Sequence, residues 1–365
     1  MIKNKFNKII NMFFELMLFF FNYSKAKNFA GKSLLKTHSE EHSIMACPLC
    51  ENKGLDLLID LPIGWPMPQN DHMMYFDYKD RDIEIITKKR KFVEKTMGFT
   101  SSIPWKICSE CKNVVLDVKF TENHLNEYYS KYYNRIALSS EKRKNTKEKY
   151  AQYVDSLIKE SSQLLEIGCA EGYAAKYLAG RGHRVSVIEP SKFRYELTNH
   201  KNINAIDKIS GLEKESIDCV YLHHVLEHIL DIPEFLRDVH SVLKKEGILF
   251  IQVPDITLQL GCYLKSLRWC HYSITNRVNY NREISDRYFP NELNSYYWMD
   301  AIGNNHLYAF TPFGLEYVLK KSNFKVKEIQ QTTKDKVITN NFLYAWPVDG
   351  ENGQTPNGLT IIASK

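Results

Sequence analysis

The stretch Leu164-Leu-Glu-Ile-Gly-Cys-Ala-Glu-Gly172 decides the fold of this 365-residue chain. Residues 163–167 are predicted to form a buried strand, because they are mostly apolar and lead into two closely spaced glycines. Gly168 and Gly172 allow a tight turn in which the backbone approaches a ligand with no Cβ in the way. A helix is predicted over residues 172–181, and its first N–H groups lack partners within the helix. The stretch therefore predicts a strand, a loop and a helix, with a ligand at the loop.

Two glutamates indicate which kind of ligand the loop binds. The next predicted strand ends at Glu189, 21 residues after Gly168, where a carboxylate can accept hydrogen bonds from both ribose hydroxyls of an adenosine. Glu166 precedes the first glycine by two residues, and it fits a cationic ligand better than a pyrophosphate. The pattern also lacks G-x-G-x-x-G. An ordinary strand–turn–helix and a nicotinamide site are the alternatives that these residues leave open.

Short apolar runs alternate with helical stretches on the carboxyl-terminal side of this unit. The predicted strands are 184–189, 203–207, 217–222 and 247–253, with a helix over 232–244. A helix over 311–322, capped by Thr311 with Pro312 in its first turn, precedes two strands, 324–332 and 358–364, that would pair antiparallel. This alternation predicts an α/β fold with an open, doubly wound, mostly parallel sheet and helices on both faces.

Four segments together resemble the class I S-adenosylmethionine-dependent methyltransferases. They are E-x-G-x-x-x-G at Glu166–Gly172, Glu189-Pro190-Ser191, Ile217-Asp-Cys-Val-Tyr-Leu-His-His-Val-Leu-Glu-His228 and Leu243-Lys-Lys-Glu-Gly247. The resemblance covers about residues 130–365 and implies a seven-stranded, Rossmann-like sheet with S-adenosylmethionine as cofactor. In that family the glycine loop holds the aminocarboxypropyl end and the acid after the second strand holds the ribose. The implied cofactor-binding residues are Glu166, Gly168, Cys169, Ala170, Gly172, Glu189 and His223.

Two C-x-x-C pairs, Cys47-Pro-Leu-Cys50 and Cys108-Ser-Glu-Cys111, predict a metal site. Four thiolates from two short turns can close a tetrahedral zinc shell; four unconnected buried cysteines are the alternative, because the spacer between the pairs is long. The arrangement resembles an amino-terminal zinc-binding module of some bacterial sugar methyltransferases, which implies a structural zinc held by Cys47, Cys50, Cys108 and Cys111. The unpaired cysteines elsewhere favour a reducing compartment, so we expect a cytoplasmic protein.

Several histidines are candidates for the transfer site. The strand over 217–222 should deliver His223 and His224 to the carboxyl edge of the sheet, where ligands bind in open α/β sheets. Glu227 and His228 follow, and only the resemblance implies that His306 lies near them. We predict His224 or His306 as general base with Glu227 orienting it; the alternative is that Glu227-His228 only fastens the turn. Relatives that methylate quinone precursors bind a divalent metal through E-x-x-E-H, but His224 occupies the first position here and that metal is not predicted.

The charge of the chain is concentrated at its amino terminus. The net charge is +6, and residues 1–45 contain seven lysines and three acidic residues, so the remaining body is near neutral and no nucleic-acid platform is expected. The apolar run 9–21 is too short to span a bilayer. Residues 1–45 are interpreted either as an extension or as a basic amphipathic segment in weak contact with a membrane surface through residues 1–30. A zinc-binding module over 46–125 and a methyltransferase domain over 126–365 would follow.

An aromatic-rich insertion is predicted over residues 255–307. Its large rings are Tyr263, Trp269, Tyr272, Tyr280, Tyr296, Tyr297 and Trp298. They suit a sugar or nucleotide-sugar acceptor, and a packed subdomain or an oligomer surface is the alternative. The predicted function is methylation of a sugar or another small hydroxylated metabolite in polysaccharide or natural-product biosynthesis. The alternative is a methyltransferase-like scaffold that binds the cofactor without turnover, peripheral at the membrane.

Overall fold

A computed structural model describes residues 43–62, 102–119, 121–127, 140–190, 197, 200–256, 279–280, 306–332, 337–339 and 358–365. The strands in these ranges are β1 (Leu55–Pro62), β2 (Ser102–Cys108), β3 (Val114–Leu116), β4 (Gln163–Ile167), β5 (Arg184–Ile188), β6 (Ile203–Ala205), β7 (Ile217–His223), β8 (Leu243–Pro254), β9 (Asn279–Tyr280), β10 (Tyr308–Ala309), β11 (Lys325–Thr332), β12 (Val337–Thr339) and β13 (Gly358–Ser364). The helices are α1 (Glu122–Glu127), α2 (Ser140–Leu157), α3 (Tyr173–Gly180), α4 (Ile232–Val242) and α5 (Pro312–Lys321).

The larger sheet has the strand order β12-β11-β13-β8-β7-β4-β5-β6. Strands β4 to β8 run parallel to one another, and β13 lies antiparallel between β8 and β11. The predicted doubly wound, seven-stranded sheet is confirmed, and the short strand β12 adds one more strand at its edge. β8 begins four residues earlier than expected, because Leu243 is buried in extended conformation and pairs with Ile217 instead of continuing α4.

Helices cover both faces of this sheet, as the alternation of side chains along the strands requires. On β7, Cys219 and Tyr221 pack with buried residues of α2 and α3. Val220 and Leu222 point to the opposite face and pack with α4 and α5. Both faces of β7 are therefore buried, which explains why its sequence is an almost continuous apolar run.

The smaller sheet is antiparallel and has the order β10-β3-β2-β1-β9. Its central strands come from the amino-terminal third of the chain, whereas β9 and β10 come from the range between β8 and α5. One hydrophobic core extends from Trp105 and Ile107 on β2 to Leu315 and Val318 on α5. The sheet and its core thus join the two predicted domains, and the boundary near residue 125 stays a prediction.

Several predicted features lie outside the described residues. These are residues 1–42 of the predicted extension and the insertion residues Tyr263, Trp269, Tyr272, Tyr296, Tyr297 and Trp298. Tyr280 of the insertion lies in β9. None of the helices in the described ranges is both long enough and apolar enough to cross a lipid bilayer.

Candidate active site

The loop after β4 has the tight backbone that its glycines predict. Gly168 and Gly172 both have φ +69°, and Ala170 between them has φ +54°. A Cβ at Gly168 would overlap the side chain of Val225, and one at Gly172 would overlap that of Leu197. Both the left-handed dihedral angle and the crowding require glycine at these two positions.

Glu189, the residue directly after β5, holds this loop in place. Its side chain is buried, and its Oε2 accepts a hydrogen bond from the backbone N–H of Ala170 at 2.6 Å. The N–H of Gly168 donates to the carbonyl of Ile188 at 2.8 Å. The Glu189 carboxylate, which is predicted to bind a ribose, therefore also fixes the left-handed conformation of Ala170. Cys169 lies buried between the two glycines.

Glu166 is a buried carboxyl group beside the loop. Only 2% of the residue is exposed, and its Oε2 has no hydrogen-bond partner among the described residues. Burial raises the pKa of Glu166 to about 7, and the positive charge of Lys147 opposes this shift only in part. A cationic ligand at this position would compensate the buried negative charge.

His223 ends β7 in an enclosed position. Neither ring nitrogen has a hydrogen-bond partner among the described residues, and the ring centroid lies 4.6 Å from that of Tyr150 on α2. Burial lowers the pKa of His223 well below its usual value, so the ring is neutral near pH 7. Lys147, also on α2, donates from Nζ to the backbone carbonyl of His223 at 3.2 Å.

His224 and Glu227 form a pair at the edge of the sheet where the parallel strands have their carboxyl-terminal ends. His224 has φ +55°, and its Nδ1 lies 3.2 Å from Oε1 of Glu227. Burial of Glu227 alone would raise its pKa, but the hydrogen bond to His224 and the nearby charge of His228 outweigh it and lower that pKa to about 2. Glu227 is therefore an anion across the physiological range, as its predicted orienting role requires.

His306 reaches the same edge from a distant part of the chain. Its ring centroid lies 4.7 Å from that of His228, and the N–H of the next residue, Leu307, donates to the carbonyl of Glu227 at 2.8 Å. One potential ligand atom each of Glu227, His228 and His306 lies within 4.8 Å of the others. The structure thus brings His224, Glu227 and His306 together, and their chemical roles stay predictions. Glu227, His228 and His306 also have the donor types of a divalent-metal site, which the sequence analysis does not predict.

The sequence analysis missed Lys147 and the contact of His228 with His306. Lys147 lies in a charged helix together with Lys144 and Lys149, and nothing in the local pattern distinguishes the lysine that faces the sheet. A weak signal exists in the spacing to Tyr150, which shares a helical face with Lys147 at i, i+3. The contact between His228 and His306 depends on tertiary structure and has no local signal.

The four predicted metal-binding cysteines come together in a buried cluster. The Sγ atoms of Cys47 and Cys111 are 3.7 Å apart, those of Cys50 and Cys108 are 3.5 Å apart, and all four lie within 4.8 Å of one another. Hydrogen bonds from Cys111 and Cys47 lower the pKa of Cys108, whereas the hydrogen bond to Cys108 raises that of Cys111. A thiolate on one sulfur thus makes ionisation of its neighbour less favourable, and a Zn²⁺ ion would stabilise negative charge on all four sulfurs.

The strand order and the glycine loop define the class I methyltransferase fold. A family profile described as "Methyltransferase domain" matches residues 124–329, which is more than half of the chain. The protein belongs to this family of methyltransferase domains.

Individual relatives resemble only part of the chain. A ubiquinone biosynthesis O-methyltransferase of Methylocella silvestris is 29% identical over 110 residues, which cover 27% of this chain and 43% of that protein. The protein of the same name from Pelagibacter ubique is 32% identical over 105 residues, covering 27% and 44%. The chain therefore spans less than half the length of these relatives. A Burkholderia thailandensis 1,6-didemethyltoxoflavin-N1-methyltransferase, solved with S-adenosylhomocysteine, has 14% identity and a TM-score of 0.42, covering 71% of this chain and 97% of that one.

Proposed function

We propose that the protein transfers a methyl group from S-adenosylmethionine to a hydroxyl group of a small acceptor, with a sugar as first candidate. The observation that carries this proposal is the group of Glu227, His228 and His306, in which Glu227 and His306 are buried and His228 is half-buried. The group lies at the carboxyl-terminal edge of the sheet that also bears the glycine loop. Such a group can accept a proton from an acceptor hydroxyl next to a bound cofactor. The resemblance of the cysteine pairs to those of sugar methyltransferases supports the acceptor class.

The cofactor site fits the charge distribution of S-adenosylmethionine. Glu166 is buried, its Oε2 has no hydrogen-bond partner among the described residues, and it would receive the ammonium group of the aminocarboxypropyl end. Glu189 would bind the ribose through its carboxylate, which also accepts the Ala170 N–H. When bound, the cofactor supplies a methyl group on a sulfonium, and the acceptor oxygen must lie opposite the departing sulfur. The contribution of the protein is then alignment at near-attack distance and removal of the hydroxyl proton.

We further propose that Cys47, Cys50, Cys108 and Cys111 hold a structural zinc. The four sulfurs are buried and close together. A shell of four protein ligands keeps no position open for water or substrate, so this zinc would take no part in the transfer.

A transfer assay tests the proposed function. Purified protein is incubated with S-adenosylmethionine labelled in its methyl group and with a panel of nucleotide sugars. A second panel of hydroxylated quinone precursors tests phenolic acceptors, which the names of the relatives favour. Label in a sugar product supports the proposal, and label only in a phenol redirects the acceptor class. Cofactor binding without transfer to either panel would favour the scaffold alternative.

Glu189→Ala should weaken the binding of S-adenosylmethionine by roughly 1.5–3 kcal/mol, as expected when a charged hydrogen-bond partner is lost. The loss has two sources, since the variant removes both the ribose partner and the anchor of Ala170. Glu189→Gln, which keeps an acceptor oxygen for the Ala170 N–H, should retain part of the affinity. Calorimetry measures both variants, and unchanged affinity in Glu189→Ala would contradict the assignment.

The affinity for S-adenosylmethionine should fall as the pH is lowered below about 7, approaching tenfold per pH unit. The pKa of Glu166 is about 7 in the ligand-free protein, so below that pH the cofactor must displace a proton from the carboxyl group. The stability of the fold changes with pH in the opposite direction to the affinity. Between pH 4.5 and 7 it falls as the pH rises, because ionisation of the buried Glu166 carboxyl group is unfavourable. Calorimetry between pH 5.5 and 7.5 in buffers of different ionisation enthalpy reads the proton release. Glu166→Gln should remove it, and a pH-independent affinity in the parent protein would disprove the role of Glu166.

A further inference from the structure

The two cysteine turns have the same backbone but different surroundings. Each C-x-x-C is followed by a left-handed residue, Glu51 at φ +69° or Lys112 at φ +58°, and then by an asparagine. The carbonyl of that asparagine accepts the N–H of the first cysteine, at 2.8 Å for Asn52 and Cys47. The equivalent distance for the second turn is 3.0 Å. The turns therefore form a matched pair in which the side chains of the asparagines can be compared.

The Asn52 side chain lies near the surface, where its Oδ1 accepts the N–H of Gly54 and its Nδ2 donates to Glu110. The equivalent Asn113 is fully buried. Its Nδ2 donates to the Sγ of Cys111 at 3.7 Å, and its Oδ1 accepts the backbone N–H of Thr311 at 3.2 Å. One carboxamide thus bridges a cysteine of the cluster and the residue that caps α5.

The first turn of α5 packs directly onto this carboxamide. Thr311 caps the helix by accepting the N–H of Gly314 on Oγ1 at 2.9 Å. A Cβ at Gly314 would overlap the Oδ1 of Asn113 and crowd the carbonyl of Cys111. The close approach is possible only because position 314 has no side chain.

The segment between His306 and Thr311 connects this contact to the candidate active site. Tyr308 on β10 pairs with Val115 on β3, and the carbonyl of Leu307 accepts the N–H of Leu116 at 2.9 Å. The N–H of Leu307 donates in the opposite direction, to the carbonyl of Glu227. The backbone next to His306 is therefore held by the strand after the second cysteine turn on one side and by the active-site turn on the other.

We propose that Asn113 is a positioning residue that couples the cysteine cluster to His306 through the Thr311 N–H and the segment before α5. A cation in the cluster fixes the Cys111 sulfur, and this sulfur orients the Asn113 carboxamide. The carboxamide in turn sets where the segment ends, at Thr311. The role of His306 in transfer rests on the proposed function, whereas the coupling itself does not. No local sequence pattern predicts this link, because Asn113 and Thr311 are 198 residues apart.

The test compares Asn113→Ala with its counterpart Asn52→Ala in the 365-residue chain loaded with zinc. Histidine labelled with ¹³C and ¹⁵N reports the ring signals by NMR, with His306 assigned from the spectrum of His306→Ala. His183 is the internal reference, because its ring is held by Ser162 and Asp155, away from this contact. Zinc content, affinity for S-adenosylhomocysteine and turnover are measured on the same preparations.

Asn113→Ala should shift or broaden the His306 signal while that of His183 stays in place. Zinc should remain at one per chain, cofactor-product affinity should change less than about threefold, and turnover should fall by roughly 10–100-fold, as expected for a displaced catalytic group. Asn52→Ala should leave the His306 signal unchanged. If the wild-type protein methylates no acceptor, the proposed function fails while the NMR comparison still decides the coupling.

Gly314→Ala perturbs the same contact from the helix side, and Gly180→Ala, whose Cβ would enter open space, is its control. Gly314→Ala should reproduce the His306 shift of Asn113→Ala, and Gly180→Ala should not. The proposal is overturned if His306 keeps its wild-type signal in zinc-loaded Asn113→Ala, or if Asn52→Ala moves it equally. It is also overturned if Asn113→Ala and Gly314→Ala both lose the fold while their controls keep it, since the contact would then act on stability alone.

Discussion

His306→Ala should lower turnover by roughly 10²–10⁴-fold, the usual contribution of general acid–base catalysis, with cofactor affinity within a few-fold of the parent. A sugar hydroxyl is a poor nucleophile while protonated, and histidine is the side chain best suited to accept its proton near neutral pH. His306 is buried beside Glu227 and His228. The nearby Glu227 carboxylate, with its pKa held at about 2, would stabilise the positive charge that develops on the ring.

His224→Ala distinguishes the two candidate bases. If His306 accepts the proton, loss of His224 removes a hydrogen-bond partner of Glu227 and should have the smaller effect. If His224 is the base, the order is reversed. Exposed His200 is the control position for an alanine substitution. Near-native turnover in both single variants and in the double variant, measured on the true acceptor, would move the base to another residue, such as a tyrosine of the insertion.

The parts of the fold that the sequence predicted are those with a local signal. The strand over 163–167, the glycine loop and the helix after it follow from apolar periodicity and from two glycines that have φ +69° in the structure. Thr311 was predicted as a helix cap from its position before Pro312, and its Oγ1 accepts the N–H of Gly314. In each case the residues that determine the conformation are neighbours along the chain.

The parts that the sequence left open depend on contacts between distant residues. The pairing of β10 with β3 joins the segment before α5 to the second cysteine turn. β10 has only two residues and β3 only three, which is too short for a recognisable sequence pattern. The position of His306 beside Glu227 was implied by resemblance alone, because 79 positions separate them in the sequence. Lys147 could not be selected from its charged helix, since selection requires knowing which face meets the carbonyl of His223.

Cys47→Ser combined with Cys50→Ser should abolish zinc binding and strongly destabilise the fold. Structural zinc contributes roughly 10–16 kcal/mol to the folding of small zinc-binding peptides at neutral pH. Even about 4 kcal/mol would lower Tm by roughly 8–16 °C in a domain of 150–250 residues. The effect should extend beyond the cysteine turns, because Cys47, Cys50, Cys108 and Cys111 belong to the same hydrophobic core as Leu315 of α5. Lys321 of that helix also donates to the carbonyl of Cys50 at 2.9 Å.

Metal analysis and thermal unfolding check this expectation on the same samples. The parent protein should contain about one zinc per chain, and a chelator should lower its Tm toward that of the double variant. Cys219→Ala, which removes a buried thiol on the opposite face of the larger sheet, should keep its zinc and respond to the chelator as the parent does. A parent protein with far less than one zinc, or a double variant with unchanged Tm, would contradict the structural role. The cluster would then be four buried thiols without a cation, and a cation in the cluster could not be what positions the segment that carries His306.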